Sequence, residues 1–390
     1  MAQINSLRSY LTMDKETVWN DGGAATETLW PVLDGDYSVG LDDPVREQPH
    51  VVGDQDSQFM VQDVRNLAGD LKMGAWPHLW KTVLDFGALR TAGEQESYTA
   101  QYSYPGVEAR KHFGLKADRL VVSGQNGGDI SFTLGLVGSY EKTEAVVTYP
   151  GAFTIPAYNS LLFKNCRFVI SLDAGSTFAN RITPVGLESF EITLQNNIKR
   201  GPALEDRIDT YKDGRVEFLE PGRRKVDLRY TAAFDRIAYS TLQRSRLRTQ
   251  LKMLAAHAGY TSYGTVAVGA VVAGSAKIVT LAADPSAYMS VGDVVMFDNA
   301  GGTNLPCIGT ITAITPATPS ITIDVMDEGA AIGDHVFAAG LEIKTAPCLV
   351  NSSTPDKPFD DYIKVTVNGQ AFSGGSDPFT YKCKDLAVPV

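Results

Sequence analysis

Few side chains in this 390-residue chain stand at spacings that could do chemistry. Asp54 and Asp56 flank Gln55, as a carboxylate pair holding a divalent ion would. Hard cations need several oxygen ligands and no third one is near, so the pair reads as a solvated turn. Ser123-Gly124-Gln125-Asn126-Gly127-Gly128 is glycine-rich, but it joins two strand-like segments. A phosphate cradle needs the free amides of a helix N-terminus, so this run reads as a hairpin turn. His50, His78, His112, His257 and His335 are scattered, with no two at ligand spacing. Glu205, Asp206 and Asp209 surround Arg207 and read as a mixed, solvated loop. Cys166, Cys307, Cys348 and Cys383 lie far apart with no CxxC spacing, which predicts reduced cysteines and neither a disulfide framework nor a zinc site. No serine-nucleophile motif, Walker loop or zinc-protease helix occurs. These residues predict no catalytic centre, no metal and no cofactor. A metal-dependent hydrolase built on Asp54 and Asp56 is the enzyme alternative, and loss of metal-dependent turnover on changing them would establish it.

The elements around these residues are mostly strands. Ile130, Phe132, Leu134 and Leu136 alternate with Asp129, Ser131, Thr133 and Gly135, giving one apolar and one small, polar face. Strand patterns also cover Thr28 to Leu41, Val64 to Met73, Ala117 to Val122 and Cys166 to Leu172. Trp76, Leu79, Trp80 and Val83 repeat at helical spacing, with Pro77 in the first turn and Gly87 as the stop. Leu247, Leu251, Leu254 and Ala255 suggest a further helix ending near Gly259. Asp42 to Asp63 is polar and reads as a long loop. Residues 1–26 read as an extended polar arm.

Composition narrows the class. With 44% hydrophobic and 21% charged residues the chain is an ordinary soluble protein. No apolar run reaches membrane-spanning length and no secretory signal is evident, which predicts synthesis in a cytoplasm and no membrane partner. Net charge is −10, yet Pro221 to Lys252 holds nine basic residues against Asp227 and Asp235. That segment is +7, which leaves −17 for the rest. Complementary surfaces on copies of one chain would use such segregation to fix register, so Arg223, Arg224, Arg229 and Arg236 are candidate subunit contacts. A solvated face and a nucleic-acid surface are the other readings. Residues 265–340 change character abruptly, with one Lys, no Arg and seven acids. Short strands at Lys277 to Leu281, Asp293 to Phe297, Ile308 to Ile314 and Ser320 to Val325 predict an inserted β-barrel or sandwich.

A strand, loop, strand and helix pattern also recurs in one order. Tyr37, Val39 and Leu41 correspond to Phe190, Ile192 and Leu194 at an offset of 153, and Leu71 and Met73 to Leu228 and Tyr230 at 157. Phe234, Ala238 and Leu242 would supply the second helix. The expected organisation is an arm at 1–26, a first unit at 27–180, a second at 181–264 and 341–390, and an insert at 265–340. Duplicated β units with no pocket suit a protein that presents similar faces to its neighbours.

Val64-Arg65-Asn66-Leu67-Ala68-Gly69-Asp70-Leu71 with the tryptophan helix resembles the tail tube (major tail) proteins of long-tailed bacteriophages. So do Gly114-Leu115-Lys116-Ala117-Asp118-Arg119-Leu120, the run from Ile130 through Lys142, and Gly186 through Asn197. The resemblance spans about residues 5–260 and 341–372, and the insert resembles outward decoration domains. It implies a mainly β fold: two tandem tube-type sandwich or half-barrel units, each with a flanking helix. Subunit sheets would join into a β-barrel around a channel. A duplicated chain would form a trimeric ring with pseudo-sixfold symmetry. Rings would stack into a virion tail tube around a tape-measure protein, capped by terminator and baseplate proteins, with DNA passing at ejection. Asp129, Ser131 and Thr133 are candidate lumen residues, in an acidic wall that repels DNA. Alternatives are a carbohydrate-binding β module, or a neck or baseplate ring protein.

Overall fold

The computed structural model describes residues 10–17, 19, 28–30, 36–42, 45–48, 59–62, 66–91, 94–104, 108–144, 160–171, 181–184, 186–201, 218–234, 248–256, 265–268, 271–287, 289–298, 306–326, 328–337, 340–356, 363–372 and 377–385. Antiparallel strands dominate. The N-terminal part supplies β1 (Tyr10–Lys15), β2 (Thr28–Trp30), β3 (Gly40–Asp42), β4 (Val45–Gln48), β5 (Phe59–Gln62) and β6 (Asn66–Gly74). Helix α1 (Trp80–Ala88) follows, then β7 (Arg90–Thr91), β8 (Glu94–Gln95), β9 (Tyr98–Tyr104), β10 (Glu108–Gln125), β11 (Ile130–Gly138) and β12 (Tyr140–Glu144). Next come β13 (Cys166–Ser171), β14 (Arg181–Ile182), β15 (Ser189–Gln195), β16 (Lys199–Gly201), β17 (Phe218–Glu220), β18 (Lys225–Ala233) and β19 (Arg248–Ala256). Residues 266–337 carry β20 (Val266–Val268), β21 (Gly274–Leu281), β22 (Val294–Asp298), β23 (Cys307–Thr315), β24 (Ser320–Met326) and β25 (His335–Phe337). The chain closes with β26 (Gly340–Thr345), β27 (Cys348–Asp356), β28 (Lys364–Phe372) and β29 (Phe379–Lys382).

One hydrogen-bonded strand network surrounds the main core. Its largest sheet runs β3-β6-β11-β10-β15-β18-β28-β27. The first four strands and the last four follow the same order, with the fourth strand in sequence lying third in space. Two smaller ladders also correspond. β1-β9-β10-β12 uses the first half of β10, and β13-β19-β26-β29 uses β26, which leads through Ala346 into β27. A two-stranded ribbon lies between β3 and β6 in sequence (β4 with β5), and another lies between β15 and β18 (β16 with β17).

Alternation decides which side faces the core. Ile130, Phe132, Leu134 and Leu136 of β11 are buried, as are Phe190, Ile192 and Leu194 of β15 and Val226, Leu228 and Tyr230 of β18. Helix α1 packs on this apolar side. Trp80 is fully buried and its Nε1 donates to the Ala75 carbonyl at 2.9 Å. Gly87 is the penultimate residue of the helix, where a Cβ would stand 2.9 Å from the Leu120 side chain. Pro77 lies in the turn before the helix.

Several expectations change. Tyr10–Lys15, expected within an arm, is a strand whose Leu11 and Met13 are buried. The supposed loop from Asp42 to Asp63 contains the β4–β5 ribbon. The supposed helix from Leu247 is β19, buried along both faces from Thr249 to Ala255, which erases the alternation that marks a strand. Ala238 and Leu242, expected in a second helix, lie outside the described residues.

Strands β20 to β25 form a six-stranded sheet, ordered β20-β21-β24-β23-β22-β25, around a separate core that includes Val279, Phe297, Ile321 and Ile323. Its edge strands meet through a bridge between Thr265 and His335. Val294, Met296 and Ile308 then pack on Val169 of β13 and Leu254 of β19.

Candidate functional site

The side of the large sheet that faces away from the core is polar in almost every row. Register places Asp70, Gly135, Arg119, Gln195 and Lys225 side by side. The next row is Lys72, Thr133, Val121, Thr193, Asp227 and Gln370, and the third is Gly74, Ser131, Ser123, Glu191, Arg229 and Asn368. Ser131 and Thr133 thus stand within the polar face, and Ser131 hydrogen-bonds Ser123 at 3.0 Å. Asp129 lies at its end and accepts a hydrogen bond from the Ser160 hydroxyl. Ser123, Gln125, Asp129, Ser131, Glu191 and Arg229 border an open depression of about 350 Å³.

Two cations on this face are held by carboxylates. The Arg119 guanidinium reaches both carboxylate oxygens of Asp70, at 3.0 and 3.1 Å. It crosses Gly135, where a Cβ would meet Arg119 at 3.2 Å and Asp70 at 3.4 Å, so a small residue keeps the fork open. Lys225 pairs with Asp227 at 3.0 Å, and Gln195 donates to the same carboxylate at 3.1 Å. Arg229 stands in register between Glu191 and Asn368. Across the three rows Lys72, Arg119, Lys225 and Arg229 face Asp70, Glu191 and Asp227. Among the described residues this face therefore carries mixed charge.

The basic segment divides by position. Arg223 is exposed at the entry to β18, and Arg229 is exposed on the polar face. Arg224 is only 4% exposed and is used within the chain. It donates to Asn196 Oδ1 at 3.2 Å, to Asp377 at 2.6 Å and to the Ala88 carbonyl. Asn196 in turn donates to the Gly87 and Ala117 carbonyls, both at 2.8 Å. Arg90 completes the knot on Gly222 and Asn196, its basicity lowered to about 10 by burial and by the neighbouring Arg224. This knot ties α1 to the β15–β18 turn. Its members are polar residues far apart in sequence, and no spacing announces it. Arg236 lies outside the described residues.

The other chemistry-bearing residues are structural. His112 is buried between the Tyr37 hydroxyl at 2.5 Å and Glu141 at 2.9 Å. Its hydrogen bond holds Glu141 below its ordinary pKa, and burial with the Glu141 charge raises Tyr37. Asp54, Asp56, His50, His257, Glu205, Asp206 and Asp209 lie outside the described residues. Among the described residues no cluster of three or more His, Cys, Asp or Glu could hold a metal, and the four cysteines are unbonded to one another. No helix among those residues is long and apolar enough to cross a membrane.

A broad polar wall backed by a continuous apolar core defines a β protein built around a surface. Residues 6–296 match the phage tail tube protein family, and the chain belongs to that family. The matched span ends within the six-stranded sheet and stops short of residues 341–372. No curated protein matches the chain. Membership makes the role a structural one in the tail tube, by self-assembly, and its place the virion tail.

Proposed function

We propose that this chain carries two fused tube units. The supporting observation is the repeated ladder order: β3-β6-β11-β10 against β15-β18-β28-β27, with a ribbon at the same point in each. The units lie side by side through the β10–β15 ladder. Three chains would then give a ring with six similar sectors, since only heterologous contacts that close yield rings. Among the described pairings β3 bonds only β6, and Ser352 to Asp356 of β27 bond only β28. These two margins end the sheet among the described ladders, and neighbouring copies would extend it there.

In this reading the polar face lines the channel and rings stack into the tube. A tape-measure protein occupies the channel during assembly and DNA passes later. Terminator and baseplate proteins close the ends, and the tube is built in the host cytoplasm. The six-stranded sheet is the inserted domain and sits outside the wall. Arg223 is the subunit contact retained from the basic segment. Arg223→Glu should weaken polymerisation with circular dichroism unchanged, and unaltered polymerisation removes that contact. Ring images averaged without imposed symmetry should show six sectors from three chains. A ring of six chains, or one without a sixfold repeat, overturns the fused-unit reading.

A further inference from the structure

We infer that Asp70 and Asp227 act as guards, occupying Arg119 and Lys225 on the polar face so that it does not retain double-helical nucleic acid. The inference rests on the polar face being the channel wall. It deepens that reading by giving the wall a way to pass a polyanion without binding it. A chain of net charge −10 could have lined a channel with acids alone. This face instead sets four cations against three acids, and two of those cations are held at 3.0–3.1 Å. Lys364, at the start of β28, is held in the same way by Glu188 at 2.8 Å.

Repetition explains the arrangement. In a tube every ring presents the same face again, so any unbalanced charge is multiplied along the channel. Surplus cations would collect phosphates, each contact adding affinity through counterion release. Surplus acids on neighbouring copies, within a Debye length of about 10 Å, would repel one another. A cation already forked onto a carboxylate offers a passing phosphate little. Gly135 supports the device, because a larger residue there would stand between Arg119 and Asp70.

The test uses the soluble chain, a fluorescent random-sequence DNA duplex and salt from about 50 to 200 mM. The wild type should show no saturable binding at the lowest salt. Asp70→Asn/Asp227→Asn keeps size and shape while releasing Arg119 and Lys225. It should bind the duplex with a log–log salt slope of about −2, at roughly 0.9 per freed phosphate contact. If that variant loses its native circular dichroism, Asp70→Asn alone carries the test with a slope of about −1. Wild-type binding with the same slope overturns the inference, and so does a folded variant that gains none. Electron microscopy of the wild type separates the two claims. Missing tubes would sink the channel reading, whereas the binding comparison reports on the guards.

Discussion

Two outward faces of this molecule are finished in opposite ways. On the large sheet the side away from the core is polar across three rows and left open. On the smaller β13-β19-β26-β29 sheet the outward side is apolar at Val169 and Leu254, and the six-stranded sheet covers it. Charges ring that covered contact. Arg167 meets Asp298 at 2.9 Å, Lys382 meets Asp324 at 3.7 Å and Lys384 meets Asp293 at 2.7 Å. Each cation belongs to the main body and each acid to the six-stranded sheet. An apolar centre with a polar rim is the anatomy of an interface between proteins, here formed inside one chain. The open face has no apolar centre. It suits a water-filled space, whereas the covered face suits a fixed neighbour.

The covered face should be the costlier one to disturb. Leu254→Ala removes a fully buried side chain at the contact, and a loss of about 2–5 kcal/mol is expected in denaturant unfolding. A loss below about 1 kcal/mol would mean the six-stranded sheet barely leans on the body.

Acid should attack what lies beneath both faces. Burial lowers His78, in the turn before α1, to about 4. The unfolded chain takes up that proton near pH 6.5, so stability falls as pH drops from about 6.5 to about 4, by at most about 1.4 kcal/mol per unit. His78→Gln should flatten that fall. An unchanged pH profile would place the acid sensitivity elsewhere.

The stretch from Asp377 to Asp385 touches both regions. Lys382 and Lys384 hold the six-stranded sheet, and Asp377 meets Arg224 at the end of the large sheet. Asp385 accepts from the Lys81 and Thr82 amides at 2.5 and 3.0 Å, as an N-cap side chain would. Asp385→Ala should cost about 1 kcal/mol in thermal unfolding. No cost would show that α1 does not depend on this strap. The smallest effect is expected on the open face, where Thr193→Ala should change stability by no more than about 0.5 kcal/mol. A larger loss would mean that something in the chain already leans on that face.

Much of this contrast was legible in the sequence. Alternation from Ile130 to Leu136 identified a strand with one small, polar side, and the loss of basic residues after Thr265 marked the six-stranded sheet. The contact between that sheet and the body was not legible, and it caused the largest misreading. Leu254 and Lys252 point outward from β19 yet are buried, so the segment lost its period of two and took on a helical look. Arg224 misled for a similar reason. A run of basic residues reads as surface, but the carbonyl of Ala88 and the carboxylate of Asp377 that absorb this one are distant in sequence. The fork between Arg119 and Asp70 was equally hidden, since only strand register brings them together across Gly135.

The most direct test of a self-assembling wall is negative-stain electron microscopy of the purified chain over a range of concentrations. Stacked rings or tubes with a central hole are expected at high concentration. Strictly monomeric particles throughout, including when mixed with a tape-measure protein, would contradict the account.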